Sequence, residues 1–502
     1  MDKQLNEFLK KMAQNSSHIS SSAYDTAWAA WLYPEAMDWL LGAQHPDGSW
    51  GAELEYYHDR VITTLAAIIA ITANRGDLEA SKKVSAGLKY LEKAIPRLNE
   101  DVYETVGFEL LLPGLLTIAQ IQGQGVDALV QRFGSSNLLA PTKEKLELVR
   151  RAIYSREVPV GFSLEFLGFE QLRESEKRAQ SEGRKSPIEQ LRSSNGSIHD
   201  SPAATAFADV ALKSTAGRGY LNMLKTRYGG MMPAFAPFEL FESAWAIHHL
   251  SLGTDITRLD AARPFIDQLK RAWKPKGLSF SSNLAFADLD DTALAFRLLH
   301  LFGEKVDPAG LEYFEAEKHF RCYPLERNIS IDVHLHIIHA LRDAHEFPRR
   351  EEMLAKAVNA LRSQPTKDFI TDKWHVSPYY STGHAIVALT GLADEFVEKH
   401  VAWLLKTQRE DGSWTYYPGL PKAAIEETTY AVMGLQALYE HKKDGALLDR
   451  IEKGIAYLEK HYTCPEELPR LWITKILYNP YHIVESAVLA VFAQYERLKS
   501  RG

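Results

Sequence analysis

The residues best suited to chemistry are three carboxylates near the middle of the 502-residue chain, in Asp288-Leu289-Asp290-Asp291. Apolar residues flank them, and the run from Thr292 to Leu301 predicts a helix. Like charges this close cannot all ionise cheaply, so one carboxyl can keep its proton near neutral pH, although a helix N-terminus favours the anion. Such an acid beside apolar surface could protonate a weakly basic group. The same pattern also fits a solvated, acidic helix start without chemistry.

Composition and charge narrow the class of protein. Hydrophobic residues make up 45% of the chain, and a net charge of −7 without a basic block argues against nucleic acid as a partner. Two cysteines, Cys322 and Cys464, are too few for a disulfide framework, which suits a reducing cytoplasm. The N-terminus lacks the apolar core of a signal peptide, and the apolar run over residues 61–73 is too short to span a bilayer. We therefore expect a cytoplasmic protein without stable membrane insertion, in which this run is a buried helix.

Helical periodicity recurs along the chain and alternating strand patterns are scarce, which predicts an all-α protein. One internal repeat is clear, because residues 39–50 return at residues 403–414 as a shared pattern of Trp-Leu-Leu, Gln and Asp-Gly-Ser-Trp. We expect the Gln amide to satisfy backbone groups at a helix end and the last Trp to pack back on the helix. Two distant copies predict two related helical domains. The charged stretch from Gln171 to Pro202 predicts a mobile, solvated loop.

Several segments, taken in order, resemble the class II diterpene cyclases, which are relatives of squalene-hopene cyclases and of the N-terminal parts of plant copalyl diphosphate synthases. The likeness spans nearly the whole chain and is to the short bacterial members that make copalyl, halimadienyl or kolavenyl diphosphate. Besides Asp288–Thr292 and the two repeats, the segments are Ser22–Trp28, Val106–Glu109, Asn195–Ser197, Ser201–Ala206, Leu240–Glu242 with Trp245, Asp372–His375 with Tyr379 and Tyr380, and Leu471–Ile473 with Lys475, Leu477 and Tyr478.

This resemblance implies two α/α double-barrel domains, called β and γ, with an active site between them. The γ domain would be inserted at about residues 26–234, so that residues 1–25 and 235–502 form the β domain. The family's class I relatives ionise a diphosphate through an Asp-Asp-x-x-Asp motif on a further α domain. Here Asp290-Asp291 lacks the final Asp, so we expect no class I α domain and a product that keeps its diphosphate.

The family reaction begins when an acid protonates the terminal double bond of geranylgeranyl diphosphate. By the resemblance, Asp290 is that acid, and Asp288 and Asp291 hold it. A carbocation then closes two rings and needs aromatic faces, each worth about 0.5–2 kcal/mol. The candidate aromatic residues, each of which could instead be ordinary core packing, are Trp245, Trp374, Tyr379, Tyr380, Trp472 and Tyr478.

The position of the terminating base departs from part of the family. Members that make ent-copalyl diphosphate carry a His before Ser-Leu-Glu, and this His works with an Asn as the base. Here Phe162 precedes Ser163-Leu164-Glu165, while Asn195 fits the Asn position. Loss of the base would prolong the cation and allow hydride and methyl shifts. We therefore expect halimadienyl or kolavenyl diphosphate, with unrearranged copalyl diphosphate as the alternative if another residue is the base.

Diphosphate needs cations, and Mg²⁺ is usual in the family. Spacing from Phe162 places Lys145 near the family's diphosphate-binding Lys. Glu53, Glu55 and Asp59 could bind Mg²⁺, and Arg60 could contact phosphate oxygens, although each could be only a surface charge. The product would then pass to a class I terpene synthase or a phosphatase.

Other classes remain open at this point. A triterpene cyclase would be longer, richer in the Gln/Trp repeat and equipped with an apolar membrane-docking patch. A helical-barrel glycosidase could use Asp290 with a second carboxylate. A non-catalytic helical toroid that binds lipids would not need the Asp motif. A protein prenyltransferase subunit would need a Zn site, for which the chain has no suitable Cys/His spacing.

Overall fold

The computed structural model describes residues 1–123, 125–133, 149, 152–153, 158–324, 326, 328–364 and 367–501. Its helices, in chain order, are α1 Asp2–Gln14, α2 Ala23–Ala29, α3 Pro34–Gly42, α4 Tyr57–Asn74, α5 Leu78–Ala94, α6 Phe108–Ile121, α7 Asp127–Phe133, α8 Gly168–Ser181, α9 Pro187–Leu191, α10 Pro202–Leu212, α11 Arg218–Arg227, α12 Glu239–Gly253, α13 Arg263–Ala272, α14 Leu289–Leu301, α15 Ala309–Glu312, α16 Ile331–Asp343, α17 Arg350–Arg362, α18 Pro378–Leu389, α19 Asp394–Thr407, α20 Ala423–Lys442, α21 Gly445–His461 and α22 Tyr481–Arg501.

Short 3-10 segments and strands connect these helices. The 3-10 segments are Ile95–Glu100, Pro159–Leu167, Ile256–Arg258, Asp260–Ala262 and Pro465–Glu467. The strands form two antiparallel pairs, β1 Ser21–Ser22 with β2 Met232–Pro233 and β3 Trp472–Ile473 with β4 Leu477–Tyr478. The fold is therefore all-α, as the sequence predicts.

A closed ring of helices carries the Asp motif. Among the described residues, α12, α14, α16, α18, α20 and α22 each pack on the next, and α22 packs back on α12. Helices α13, α17, α19 and α21 lie outside this ring against its members. Alternation of inner and outer helices makes this ring an α/α barrel, and we call it the catalytic ring because it holds the three carboxylates.

A second ring is built from the earlier part of the chain. Helices α2, α4 and α6, the 3-10 segment Pro159–Leu167 and α10 pack in a circle, with α3, α5, α8 and α11 outside. Among the described residues this ring has five inner members, one of which is a 3-10 segment, against six helices in the catalytic ring. We call it the inserted ring, since the chain enters and leaves it at neighbouring points.

The chain enters and leaves the inserted ring through the paired strands β1 and β2. The N-terminal helix α1 packs on the 3-10 segment Asp260–Ala262, which belongs to the catalytic side of the molecule. Strand β1 then leads into α2, and β2 returns the chain beside it, with Ser21 opposite Pro233 and Ser22 opposite Met232. The predicted domain limits at 25/26 and 234/235 stay a prediction.

The repeated motif forms the same hydrogen bonds in both rings. The Gln44 amide donates to the carbonyls of Gly48 and Lys83, and the Gln408 amide donates to those of Gly412 and Arg450. The Trp50 indole donates to the Leu40 carbonyl, as the Trp414 indole does to that of Leu404. The interpretation of the motif as a structural element that joins a helix end to a turn is confirmed.

Two further expectations have opposite outcomes. The apolar run over residues 61–73 is a buried helix, as predicted, since it forms most of α4. The prediction of a loop from Gln171 to Pro202 is wrong, because α8 and α9 cover much of it. In α8, Leu172 and Ala179 lie seven residues apart and bury one face, although the rest of the helix is charged.

In the described part of the chain, every helix is too short or too polar to cross a lipid bilayer.

We predict that Asp25→Asn stabilises the protein at high pH. Burial raises the pKa of Asp25 from 3.8 to about 7, against the opposing effect of Lys475. The folded state therefore binds a proton that the unfolded state releases, so this contribution to stability falls as pH rises from 3.8 to about 7. An Asn can still accept from the N–H of Ala203 without a buried charge.

Thermal unfolding below, within and above that pH range tests this. The Tm gain of the variant over the parent should be absent below the range and largest above it. Asp255→Asn is the control, because the Thr257 hydroxyl lowers the pKa of this exposed carboxyl, so its removal should not stabilise the protein at high pH. A pH-independent gain for Asp25→Asn would contradict the explanation.

Candidate active site

A cavity of about 660 Å³ lies between the two rings. Its size is in the range of pockets that enclose a small organic ligand. Both rings contribute to the wall, and most of the wall is aromatic or aliphatic. The described lining residues are Tyr103, Glu104, Thr105, Val106, Gly107, Glu109, Leu110, Val149, Val158, Pro159, Val160, Phe162, Ser163, Phe235, Phe241, Trp245, Phe280, Phe286, Asp288, Asp290, Asp291, Cys322, Tyr323, Glu326, Asn328, Lys373, Trp374, Trp472, Ile473, Thr474 and Tyr478.

The three carboxylates of the Asp motif all reach this cavity at the start of α14. Asp288 is the N-cap residue, and its Oδ1 accepts the N–H of Asp291 at 2.8 Å. The helix thus begins three residues earlier than the expected start at Thr292. Asp290 is 9% exposed, whereas Asp288 and Asp291 are 2% and 1% exposed. The first turn therefore turns Asp290 toward the cavity and buries its two neighbours.

Burial and crowding favour the protonated form in this cluster. Burial raises the pKa of Asp288, although the N–H of Asp291 acts in the opposite direction. Burial, with the negative charges of Asp288 and Asp290, raises the pKa of Asp291 well above its ordinary value. Asp288 and Asp291 lie within one helical turn and affect each other's ionisation, so their protons are shared between the two carboxyls. The site can therefore store acid protons at neutral pH.

The partner of Asp290 is a residue that the sequence reasoning missed. His336 Nδ1 forms a hydrogen bond with Asp290 Oδ1. His336 lies on the neighbouring helix α16 and is 1% exposed. Its Trp245 neighbour packs edge-on at 4.7 Å between ring centroids. The signal that could have found it is the His-rich helix His334-Leu335-His336-Ile337-Ile338-His339, in which alternate polar residues interrupt an apolar sequence.

A second buried aspartate fixes the start of α16. Asp372 Oδ1 accepts from the Ser330 hydroxyl at 3.1 Å and from the N–H of Ile331 at 2.5 Å. It thereby satisfies backbone groups that a helix N-terminus leaves unpaired. Asp332, in the first turn, is also buried, and burial raises its pKa well above the ordinary value. The register of α16, and so the position of His336, depends on this capping.

Four of the six predicted aromatic residues lie in the cavity wall, namely Trp245, Trp374, Trp472 and Tyr478. Trp245 and Trp472 meet edge-on, with centroids 5.3 Å apart.

Tyr379 and Tyr380, predicted to contact substrate, are not among the described lining residues. Tyr379 stacks on Trp403 at 4.6 Å, and Tyr380 stacks on His375 at 4.3 Å. Both begin α18, and Tyr380 also packs against Trp472, with ring centroids 5.2 Å apart. Tyr380 therefore supports the cavity wall from behind, whereas Tyr379 packs against the outer helix α19.

Phe162 lines the cavity and is 8% exposed. Behind it lies Lys475, whose ammonium donates to the Phe162 carbonyl, to Glu165 Oε1 and to the Ser201 hydroxyl, each at 2.9 Å. This buried ion pair joins the β3–β4 hairpin to the inserted ring. Phe162 is therefore held in place from the catalytic side of the molecule.

Asn195, predicted to act in catalysis, is placed elsewhere. Its Nδ2 donates to Asp200 Oδ1 at 3.3 Å, and its Oδ1 accepts the N–H of Ser197 at 2.9 Å. It is not among the described residues that line the cavity. The turn that follows α9 uses the amide for its own hydrogen bonds, so Asn195 and Phe162 do not form a pair facing the cavity.

The residues predicted to bind metal and phosphate are also outside the described cavity lining. Glu53 pairs with Arg470 at 2.8 Å. Although desolvation acts to raise it, the pKa of Glu53 falls to about 2 beside this guanidinium. Asp59 accepts backbone N–H groups of Ala52 and Leu477, Glu55 is exposed, and Arg60 donates to Ser49 in the first repeated motif.

These contacts are structural, since the segment after the first motif packs against the catalytic ring. Nowhere in the described part of the chain do three or more His, Cys, Asp or Glu side chains come together as a metal-ion site. Lys145 lies outside the described residues.

Other charged residues do line the cavity. Glu104 and Glu109 are on the wall contributed by the inserted ring, and neither was predicted. Lys373 lines the opposite ring's wall and pairs with Glu326. Its ammonium also lies 4.9 Å from the centroid of Trp374. The cavity thus combines an apolar wall, an acidic cluster on one ring and two carboxylates on the other.

Known proteins resemble this chain over its full length. It is 31% identical over 495 residues to a type B diterpene cyclase of Mycobacterium tuberculosis, covering 94% of this chain and 95% of that protein. It is 30% identical over 506 residues to an ent-copalyl diphosphate synthase of a Streptomyces species, covering 95% and 93%. Among family models, none matches the chain.

Solved structures share the fold. An ent-copalyl diphosphate synthase from Streptomyces platensis aligns with a TM-score of 0.78 at 25% identity, covering 98% of this chain and 99% of that one. The ent-copalyl diphosphate synthase from Arabidopsis thaliana, in complex with (S)-15-aza-14,15-dihydrogeranylgeranyl thiolodiphosphate, aligns with a TM-score of 0.67 at 23% identity. This chain covers 64% of that longer protein.

We predict that Lys475→Met destabilises the protein strongly. Removal of the ammonium leaves Glu165, which is fully buried, without its partner, and breaking a buried ion pair costs about 3–5 kcal/mol. Urea unfolding measures the loss. The matched control is the double variant Lys475→Met with Glu165→Leu, which removes both charges and should recover most of the stability. Equal losses in the single and double variants would contradict an ion pair as the cause.

Proposed function

Because the chain belongs to the class II diterpene cyclase family, we propose that it converts geranylgeranyl diphosphate into a bicyclic diterpenyl diphosphate. The diphosphate is retained in the product. The observation that carries this proposal is the hydrogen-bonded pair of Asp290 and His336, placed at the wall of an aromatic cavity. Protonation of an alkene requires a strong acid that is kept from water.

Asp290 transfers the first proton. When His336 Nδ1 carries a hydrogen, it donates to Asp290 Oδ1 and leaves Oδ2 to hold the acid proton. Transfer from Oδ2 to the terminal double bond produces a tertiary carbocation and an Asp290 carboxylate. The His336 donor then stabilises the new anion, since a hydrogen bond to a charged acceptor is stronger than one to a neutral acceptor. His336 thus favours the transition state over the resting acid.

The aromatic wall stabilises the cation as the rings close. Trp245, Trp472 and Tyr478 line the cavity with the carboxylates, and ring faces attract a positive charge. The enclosed apolar surface also keeps water from capturing the cation. Loss of a proton from the cyclised cation ends the reaction without breaking the bond to the diphosphate.

Mg²⁺ would neutralise the diphosphate charge when bound. Mg²⁺ usually takes one or two carboxylates and completes its shell with phosphate oxygens and water. The carboxylates of Glu104 and Glu109 suit such a shared site, since both line the cavity on the inserted ring. Lys145, four residues before the cavity-lining Val149, remains a candidate for diphosphate contact. Glu53, Asp59 and Arg60 are less suitable, because each is engaged in the structural contacts described above, and Glu55 is exposed and outside the described cavity lining.

The product is proposed to be rearranged, as halimadienyl or kolavenyl diphosphate. Phe162 stands where ent-copalyl-forming members carry the basic His, and Asn195 is hydrogen-bonded inside its own turn. An apolar ring at this point cannot take a proton, so the cation lives longer and hydride and methyl shifts can precede deprotonation. Unrearranged copalyl diphosphate would be the product if a different cavity residue acts as the base early.

We predict that Asp290→Asn abolishes cyclisation. An amide cannot supply the acid proton, and general acids contribute roughly 10²- to 10⁴-fold to rates. Purified protein is incubated with geranylgeranyl diphosphate and Mg²⁺, followed by phosphatase and gas chromatography–mass spectrometry. The parent should give a bicyclic C20 alcohol, and the variant only geranylgeraniol.

Two further variants sharpen this test. His336→Phe should lower kcat by roughly 10- to 100-fold with little change in KM, because it removes a hydrogen bond to a charged group. Asp449→Asn, an exposed carboxylate on the outer helix α21, is the control and should retain activity. If the parent yields only geranylgeraniol with Mg²⁺ present, the proposed reaction is wrong, and a lipid-binding toroid becomes the better explanation.

We predict that Phe162→His shifts the product toward unrearranged copalyl diphosphate. A neutral imidazole at this position could take a proton from the bicyclic cation before hydride shifts begin. The ratio of rearranged to unrearranged alcohols, from the same chromatographic assay, measures the shift. Phe162→Leu is the matched control, because it changes the wall without adding a base. An unrearranged product from the parent itself would refute the explanation built on Phe162.

A further inference from the structure

A buried carboxylate stands directly behind one of the cavity's aromatic residues. Glu426, on α20, is 1% exposed and does not line the cavity. Its Oε1 accepts the indole N–H of Trp472 at 2.9 Å. Trp472 is part of the cavity wall, so the indole has one edge on Glu426 and another part of its surface facing the ligand space.

Two more groups direct hydrogens at the same oxygen. The Tyr430 hydroxyl lies 3.2 Å from Glu426 Oε1, and His375 Nε2 lies 3.3 Å from it. The tautomer of His375 follows from its other nitrogen, because Nδ1 accepts the backbone N–H of Ser377 at 3.0 Å. In the neutral ring the hydrogen is therefore on Nε2 and points to Glu426.

This arrangement favours the carboxylate anion at Glu426. Three donors converge on Oε1, whereas Oε2 has no hydrogen-bond partner among the described residues. A protonated carboxyl would leave its O–H without an acceptor, which is costly in a buried site. An anion instead has its charge taken up by three donors.

An anion hydrogen-bonded to the indole N–H strengthens the attraction of the ring face for a cation. Hydrogen bonds polarise one another in a low-dielectric interior, so the N–H bond shifts electron density into the indole π system. The face of the ring then attracts a cation more strongly.

We propose that Glu426 is a positioning residue that stabilises the carbocation through Trp472. It touches neither substrate nor the acid, and it acts only through the indole. This inference rests on the proposed function, since it requires a cation beside Trp472. Trp245 and Tyr478, which contact Trp472, place that ring in the same aromatic cluster as the Asp290–His336 pair.

Glu426→Gln tests the role of the charge while an acceptor oxygen is kept. We expect kcat to fall by roughly 3- to 30-fold, with KM changed less, because the lost interaction belongs to the cationic state. The matched control is Glu427→Gln. Glu427 is the adjacent buried carboxylate on α20, but its partners are the Ser377 hydroxyl and the N–H of Tyr416. This control should leave kcat within about 2-fold.

A double-mutant cycle separates an effect through the indole from a structural one. Trp472→Phe keeps an aromatic ring but removes the N–H, so adding Glu426→Gln to it should have little further effect on kcat. Losses in kcat that multiply in the double variant would overturn the proposal, because Glu426 would then act independently of Trp472. Activity of Glu426→Gln equal to the parent would also overturn it.

Binding of a cation mimic gives a second readout. An ammonium analogue of geranylgeranyl diphosphate, with nitrogen in place of the carbon that becomes cationic on protonation, should lose affinity in Glu426→Gln more than its uncharged carbon counterpart. If Glu426→Gln does not fold, Glu426→Asp, whose shorter side chain cannot reach the indole, replaces it with the same expectation. If the parent itself makes no bicyclic product, the proposed function fails and this inference falls with it. If the parent does, and the Glu426 variants match it in both assays, this inference alone fails.

Discussion

The candidate acid site depends on one hydrogen bond between two neighbouring helices, which joins His336 on α16 to Asp290 on α14. That contact is possible only because each helix begins at a fixed residue. Asp288 caps α14 through the N–H of Asp291, and Asp372 caps α16 through the N–H of Ile331. A shift of one residue at either start would rotate a side chain by about 100° and separate the pair. Buried aspartates thus serve both as caps and as neighbours of the acid.

Closure of the cavity depends on the contact between the rings. The β3–β4 hairpin provides Trp472 and Tyr478 to the wall, and between them Lys475 reaches into the inserted ring to pair with Glu165. The same hairpin therefore contributes to the cavity wall and also joins the two rings. Separation of the rings would expose the aromatic wall and a buried ion pair to water together. The apolar environment that a carbocation requires is a property of the interface and of neither ring alone.

Much of the fold, and the place of the Asp motif at the start of a helix, could be predicted from the sequence. Helical periodicity, the two Gln/Trp motifs and the Asp motif each depend on local spacing, which a single chain displays. His336 and Glu426 could not be assigned in this way, because each contacts a residue of another element, Asp290 on α14 and Trp472 on β3. Tyr379 and Tyr380 had the right chemistry, yet in the first turn of α18 their rings stack on Trp403 and His375.

The residues predicted to bind metal or phosphate show that residue type alone does not identify a ligand. Glu53 has the charge that a metal would need, but it pairs with Arg470, which is distant in sequence. Arg60 has the charge that a diphosphate would need, but it donates to Ser49 in the turn of the first repeated motif. Glu104 and Glu109 line the cavity, although the sequence analysis used Val106–Glu109 only for the family resemblance and assigned no ligand there. A charge becomes a ligand only through its orientation, and orientation is set by packing between elements.

The matching hydrogen bonds of the Gln44/Trp50 and Gln408/Trp414 motifs have an evolutionary consequence. Two rings built on the same connector are what duplication of an ancestral helical ring would leave, with one copy now inserted in the other. Only one copy holds the Asp motif, so cavity-lining residues of the other, such as Phe162, can vary and reshape the space for the proposed substrate. Substitutions in the inserted ring could then change the product skeleton while the Asp motif stays intact. The residues that start the proposed reaction and the residues that shape its product could therefore evolve separately.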